Sequence, residues 1–149
     1  MDDFPWDAPV GRFVLAFGDI EHTTVALLGC LPDCRIPRNA TRLTLGQRFE
    51  LLREVLPRYA GQEYQATLAS MEAAARLTDK RNLVAHNTVW IDIFQKDDGW
   101  HLTDHLISSR NRGNRLTLEE MRALADDARA AAFRFSQDAL QVLQLHVEN

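Results

Sequence analysis

The sequence predicts a mainly helical single domain: four amphipathic helices, with a β-hairpin inserted between the third and the fourth. Three observations predict it. Apolar residues recur at alternating three- and four-residue spacing in four separate stretches. Two of those stretches open on a Thr followed three residues later by Gln or Glu, the signature of a capping box. Before the last stretch stands a run rich in β-branched and aromatic residues, broken by Asp97-Asp98-Gly99. At 149 residues, 46% hydrophobic and 26% charged, the chain has material for one core of ordinary size.

The first nine residues carry Asp2, Asp3 and Asp7 with Pro5 and Pro9, and read as an irregular lead-in whose Trp6 packs on the body. From Val10 the pattern turns helical. Val10, Phe13, Val14, Phe17 and Ile20 share a stripe, followed by Val25, Leu28 and Leu31 before Pro32. Residues 32–43, with Pro32, Asp33, Pro37 and Asn39, read as a loop. Thr44-Leu45-Gly46-Gln47 then caps a second helix in which Leu45, Phe49, Leu52 and Leu56 recur on one face. Pro57 disfavours helical geometry in the residue before it, and Gly61 completes the break.

A third helix starts at Gln62 and shows Tyr64, Leu68, Met71 and Ala75 on its stripe. Continued, the count reaches Thr78, Asn82 and then Ala85 or His86. The helix is therefore expected to run to about His86, to turn Asn82 and His86 toward a packed surface, and to place Asn87 at a left-handed C′ position. Residues 88–107 form the hairpin, with His101 and His105 on one strand face and Asp92 and Asp104 nearby. These read as surface histidines, and two of them without a third committed ligand do not define a metal site. Ser108 to Arg115 is a polar loop carrying Arg110, Arg112 and Arg115 with no acid among them, suited either to tracking a phosphate backbone or to plain solvation. Thr117-Leu118-Glu119-Glu120 opens the last helix, where Leu118, Met121, Ala125, Ala128, Ala132, Phe135, Ala139 and Val142 hold one stripe. So many alanines allow a partner helix to approach closely.

The stretch that carries chemistry is Arg81-Asn82-Leu83-Val84-Ala85-His86-Asn87. Arginine supplies a permanent planar cation suited to phosphate, and histidine a group that takes or gives a proton near neutral pH. Those are the tools for cutting RNA without a metal: a base for the ribose 2′-OH, an acid for the departing 5′-oxygen and a cation for the charge that builds on phosphorus. Requiring Asn directly after the Arg lowers the chance expectation of Arg-x4-His in such a composition from about 0.5 to about 0.02. Asn82 and His86, four apart, would stack on one helix face, where the amide can hold one imidazole nitrogen. The structural alternative is that Arg81 caps the helix or pairs with an acid, while His86 suits the negative end of the helix dipole.

A formal charge of −4 argues against a protein that coats nucleic acid over its whole surface, so any RNA contact is expected in a local basic patch. Cys30 and Cys34, with Pro32 between them, form neither a redox pair nor half of a zinc site and read as reduced thiols. No run of about 18 apolar residues or secretory leader is apparent, which points to the cytoplasm and no membrane.

Four amphipathic helices with Arg81-Asn82-Leu83-Val84-Ala85-His86 at the end of the third resemble the HEPN family (higher eukaryote and prokaryote nucleotide-binding domains). The resemblance implies an up-and-down four-helix bundle over the whole chain, with the hairpin as an elaboration within it, and assembly as a homodimer. It also implies metal-independent endoribonuclease activity without a cofactor, at a composite site where two Arg-x4-His motifs meet across the dimer cleft. Arg81 and His86 would then be catalytic and Asn82 orienting. Toxin or defence roles follow from the same likeness, with an antitoxin or nucleotidyltransferase partner. The alternative is a non-catalytic helical module of this type that binds a nucleotide or a protein.

Overall fold

The structure, a computed structural model, describes residues 4–31, 40–108 and 115–147. It is mainly helical, with a small antiparallel sheet. The helices are α1 (Asp7–Cys30), α2 (Leu45–Val55), α3 (Gln62–Ala75), α4 (Thr78–Ala85) and α5 (Leu118–Val147). The strands are β1 (Thr88–Lys96), β2 (Gly99–Ile107) and β3 (Arg115–Thr117), in the order β1-β2-β3.

Helix α1 begins at Asp7, three residues before the apolar pattern does, because Pro9 is tolerated in a first turn whose N–H groups lack partners anyway. Phe13, Phe17, Ile20, Leu27 and Leu28 are buried along it, whereas Val14, expected on the stripe, is 53% exposed. By length and composition alone α1 could cross a bilayer, contrary to the expectation that no such run exists, but here its apolar side lies in the core. The α5 stripe holds as expected: Met121, Ala125, Ala128, Ala132, Phe135, Ala139 and Val142 are all buried. Both α1 and α3 pack along α5.

Helices α1 and α5 run in the same direction. Trp6, just ahead of α1, donates its indole N–H to Asp104 on β2, which pairs with the β3 strand that feeds α5. Farther along, Thr23 and Ser136 share a hydrogen bond of 3.1 Å. The strict alternation of direction that the resemblance implied does not hold for this pair. Helix α3 does alternate with α5, since Tyr64 near its start bonds His146 near the end of α5 at 3.0 Å, so the departure arises in the chain ahead of α3.

Both capping boxes form. Thr44 and Gln47 exchange bonds at the start of α2, and at the start of α5 the Thr117 hydroxyl accepts from the Glu120 N–H at 3.2 Å while the Thr117 N–H donates to the Glu120 carboxylate at 2.7 Å. The bond from the Thr117 backbone, with a second from its hydroxyl, holds the Glu120 carboxyl below the usual carboxylate range. Because that pKa is depressed, its contribution to stability is present above the unfolded value of about 4.3 and is lost as pH falls through the folded value. Thr117→Ala is expected to lower stability by about 1 kcal/mol at pH 7. Denaturant titrations at pH 7 and pH 3 should show that penalty narrowing in acid; an equal penalty at both would contradict the assignment.

The third helix is the main correction. Instead of continuing to His86 it breaks at Arg76 and Leu77, where the Leu77 N–H reaches back only three residues to Ala74 at 3.1 Å, and α4 starts afresh at Thr78. An unbroken count would have buried Asn82 and His86 and exposed Leu83 and Val84. The break exchanges them: Leu83 and Val84 are buried, and Asn82 and His86 are exposed. Burying two such aliphatic side chains is worth about 1.5–3 kcal/mol each, which outweighs the disruption of one helical turn. One local cost remains in the Thr78 hydroxyl, which is buried without a hydrogen-bond partner among the described residues.

The hairpin has a two-residue loop, Asp97-Asp98, with Lys96 opposite Gly99. Gly99 takes a φ of 131° that side-chain-bearing residues rarely adopt, which fixes the register the sequence left open. Strand β3 went unforeseen, since its residues were assigned to a polar loop and a cap. It pairs Leu116 with Leu106, and both are buried where the sheet meets the helices.

Candidate active site

The heptapeptide lies on α4 and the turn that joins it to β1. His86 closes the helix and is exposed, with φ −120° and ψ 11°. Asn87 does not take a left-handed conformation, and no non-glycine residue among those described has a positive φ. Its side-chain amide instead donates to the Leu83 carbonyl at 2.6 Å, satisfying one of the open carbonyls of the helix end.

Arg81 and His86 are five residues apart, which on a helix of 3.6 residues per turn separates them by about 140° around the axis. They accordingly open onto different cavities. Arg81 lines a groove of about 220 Å³ between α1 and α4 with Phe13, Phe17, Glu21 and Val84. Its guanidinium stands 3.4 Å from the Glu21 carboxylate, with both side chains about a third exposed, so this pair contributes little net stability. This is the pairing with an acid that the structural alternative foresaw. The Asn82 carbonyl oxygen accepts from Arg81 at 3.4 Å, so the amide that was expected to orient His86 orients the arginine.

His86 lines a larger cleft of about 810 Å³, bounded by Ala85, Asn87, Trp90, Asp92, His105 and Arg115. Ala85 borders both cavities and is the wall between them. The register brings the cleft together: Trp90 faces His105 across β1 and β2, and Ile107 faces Arg115 across β2 and β3. His105, expected at the surface, is only 7% exposed. Its Nε2 lies 3.7 Å from the Asp92 carboxylate, near enough for attraction when the ring is protonated. Trp90 is 55% exposed and offers a flat apolar ring at the rim.

The remaining sequence-predicted residues fall as follows. Arg115 is on β3 and lines the cleft, while Arg110 and Arg112 lie outside the described residues. His101 does share a strand face with His105 but sits near the hairpin tip, where its Nε2 is 2.6 Å from Asp98. Asp104 points to the other face, toward Trp6. Among the described residues no three His, Cys, Asp or Glu side chains converge as metal ligands would. The Cys30 thiol donates to the Leu27 carbonyl at 3.2 Å, and Cys34 lies outside the described residues.

The cleft thus offers two imidazoles, a guanidinium, a carboxylate and an indole. Such a set can stack a base, hold a phosphate and move protons. Sequence reasoning named His105 and Asp92 only as hairpin surface residues and did not weigh Trp90, and only the alternation of the strands, read together with a fixed turn, could have placed those three on one face. No family model matches the chain, and no curated protein or solved structure matches it.

Proposed function

We propose that the protein is a metal-independent endoribonuclease of HEPN type, cleaving RNA by attack of the 2′-OH on the adjacent phosphate. The observation that carries this reading is His86, exposed at the mouth of a cleft that also holds Trp90 and Arg115. In that cleft a nucleobase stacks on Trp90 while Arg115 attends the phosphate, which leaves His86 to exchange the proton.

Arg81 enters through assembly. Since it opens onto a different cavity from His86 of its own chain, the reading requires a two-fold homodimer in which the heptapeptides face each other and each Arg81 reaches the opposite site. The Arg81–Glu21 pair favours a second reading, a non-catalytic module of the same type that binds a nucleotide or protein, because a paired guanidinium is less available to substrate. Exposure of both side chains leaves that pair easily exchanged for a phosphate, so catalysis is the preferred conclusion. A bundle of HEPN type, a cytoplasmic address and a toxin or defence role with an antitoxin or nucleotidyltransferase partner belong to the same proposal.

Purified protein should shorten a structured RNA pool in the presence of EDTA and leave a matching DNA intact. RNA that stays full-length at micromolar protein would move the conclusion to the binding module.

A further inference from the structure

The hairpin contributes chemistry that the heptapeptide lacks. His105 is buried on β2, opposite Trp90 on β1 and Thr117 on β3. Asp92 pairs with Thr103 and so is the diagonal neighbour of His105 on the same face, which accounts for the 3.7 Å between carboxylate and imidazole. Both line the cleft that His86 lines from α4. A carboxylate at that distance attracts the ring and helps hold it at the cleft wall.

Resting on the endoribonuclease reading above, we infer that His105, held by Asp92, is the general acid of the cleft, protonating the departing 5′-oxygen while His86 of the same chain takes the proton from the 2′-OH. As the O2′–P bond forms, the hydroxyl proton passes to His86. As the P–O5′ bond breaks, the leaving oxygen receives the proton of His105. The products are a 2′,3′-cyclic phosphate and a 5′-hydroxyl, and proton exchange with water resets both rings. Among the described residues, the charged or titratable groups that share the cleft with His105 are Asp92 from β1, Arg115 from β3 and His86 from α4. Asp92 helps hold the ring, and Arg115 lines the same cleft where it can attend the phosphate. His105 is a catalytic residue in this scheme, and Asp92 is a positioning residue. Each chain then holds a complete acid–base pair, and the second copy is needed for its Arg81 and not for proton transfer.

The test compares full-length wild type, His105→Ala, His105→Gln, Asp92→Asn and His86→Ala on two substrates. One is a short RNA that the wild type cuts; the other is the same RNA with sulfur in place of the 5′-oxygen at that bond. A thiolate departs without a proton, so loss of the acid is masked on the second substrate. His105→Ala and His105→Gln are expected to slow cleavage of the ordinary RNA by ~10²–10³-fold. On the sulfur substrate they should come within about tenfold of wild type, the residue of imperfect positioning. Asp92→Asn should show a smaller defect with the same rescue on the sulfur substrate, a pattern that a merely structural loss would not give. His86→Ala should remain slow on both.

Wild-type rates for the two His105 variants on ordinary RNA would overturn the proposal and leave the second carrier to come from the partner's His86. Equal slowing on both substrates, in variants whose circular dichroism matches wild type, would overturn it too and make His105 structural. Wild type that cuts neither RNA would instead overturn the endoribonuclease reading, and this inference with it.

Discussion

His86→Ala is expected to lower RNA cleavage by ~10²–10⁴-fold, the range that a positioned proton carrier contributes. The side chain is exposed and makes no hydrogen bond within the described residues, so its removal should leave the fold untouched. Melting temperature is therefore expected to stay within about 2 °C of wild type, as a surface substitution costs no more than about 0.5 kcal/mol. That separation of activity from stability distinguishes a catalytic histidine from one that merely suits the negative end of α4. Loss of activity accompanied by a large fall in melting temperature would contradict the assignment. Arg81→Lys should also be severely impaired, because an ammonium keeps the charge but loses the planar two-pronged contact. Asn82→Ala should be mild, since its amide meets Arg81 and not the imidazole.

The largest effect on stability is expected from Phe135→Ala. Phe135 is fully buried in α5, with Ala128, Ala132 and Ala139 on the same stripe, and both α1 and α3 pack along that helix. Neighbours this small have no side-chain reach with which to fill the space a phenyl ring vacates, so the site collapses poorly. The expected cost is about 3–5 kcal/mol, or a fall in melting temperature of roughly 6–20 °C for a chain of this size. Phe133→Ala is the control. Its ring is 67% exposed on the opposite side of the same helix and should change stability by no more than about 0.5 kcal/mol. Comparable losses for the two substitutions would show that α5 does not sit as described.

What the sequence revealed was what neighbouring residues decide. The α5 stripe, the α2 stripe and both capping boxes depend on spacings of three and four within one helix, and they formed as read. The break at Arg76 and Leu77 depends instead on α1, beside which Val84 is buried, and neither Gly nor Pro marks it. That single change of phase moved Asn82 and His86 from an expected packed face to the surface, while the five-residue spacing alone sets Arg81 and His86 on different sides of α4. Strand β3 was hidden because Arg115-Leu116-Thr117 carries one apolar residue, and only pairing with β2 makes it a strand. Burial of His105 followed from the same pairing, together with a hairpin register that Gly99 fixes and the sequence left open. The heptapeptide was therefore legible as chemistry, while the cleft beside it was legible only once residues on α4, β1, β2 and β3 were brought together.

The central claim is that the internal 2′-OH, with His86 as its base, is the nucleophile. The most direct measurement is the chemical identity of the ends left on RNA cut by the wild-type protein in EDTA. The account predicts 2′,3′-cyclic phosphate on one fragment and 5′-hydroxyl on the other, with neither formed by His86→Ala and no cut at a position carrying a 2′-deoxy or 2′-O-methyl sugar. Fragments with 3′-hydroxyl and 5′-phosphate ends, or cleavage that persists at the 2′-blocked position, would contradict it, because water would then be the nucleophile and His86 would have no 2′-OH proton to take.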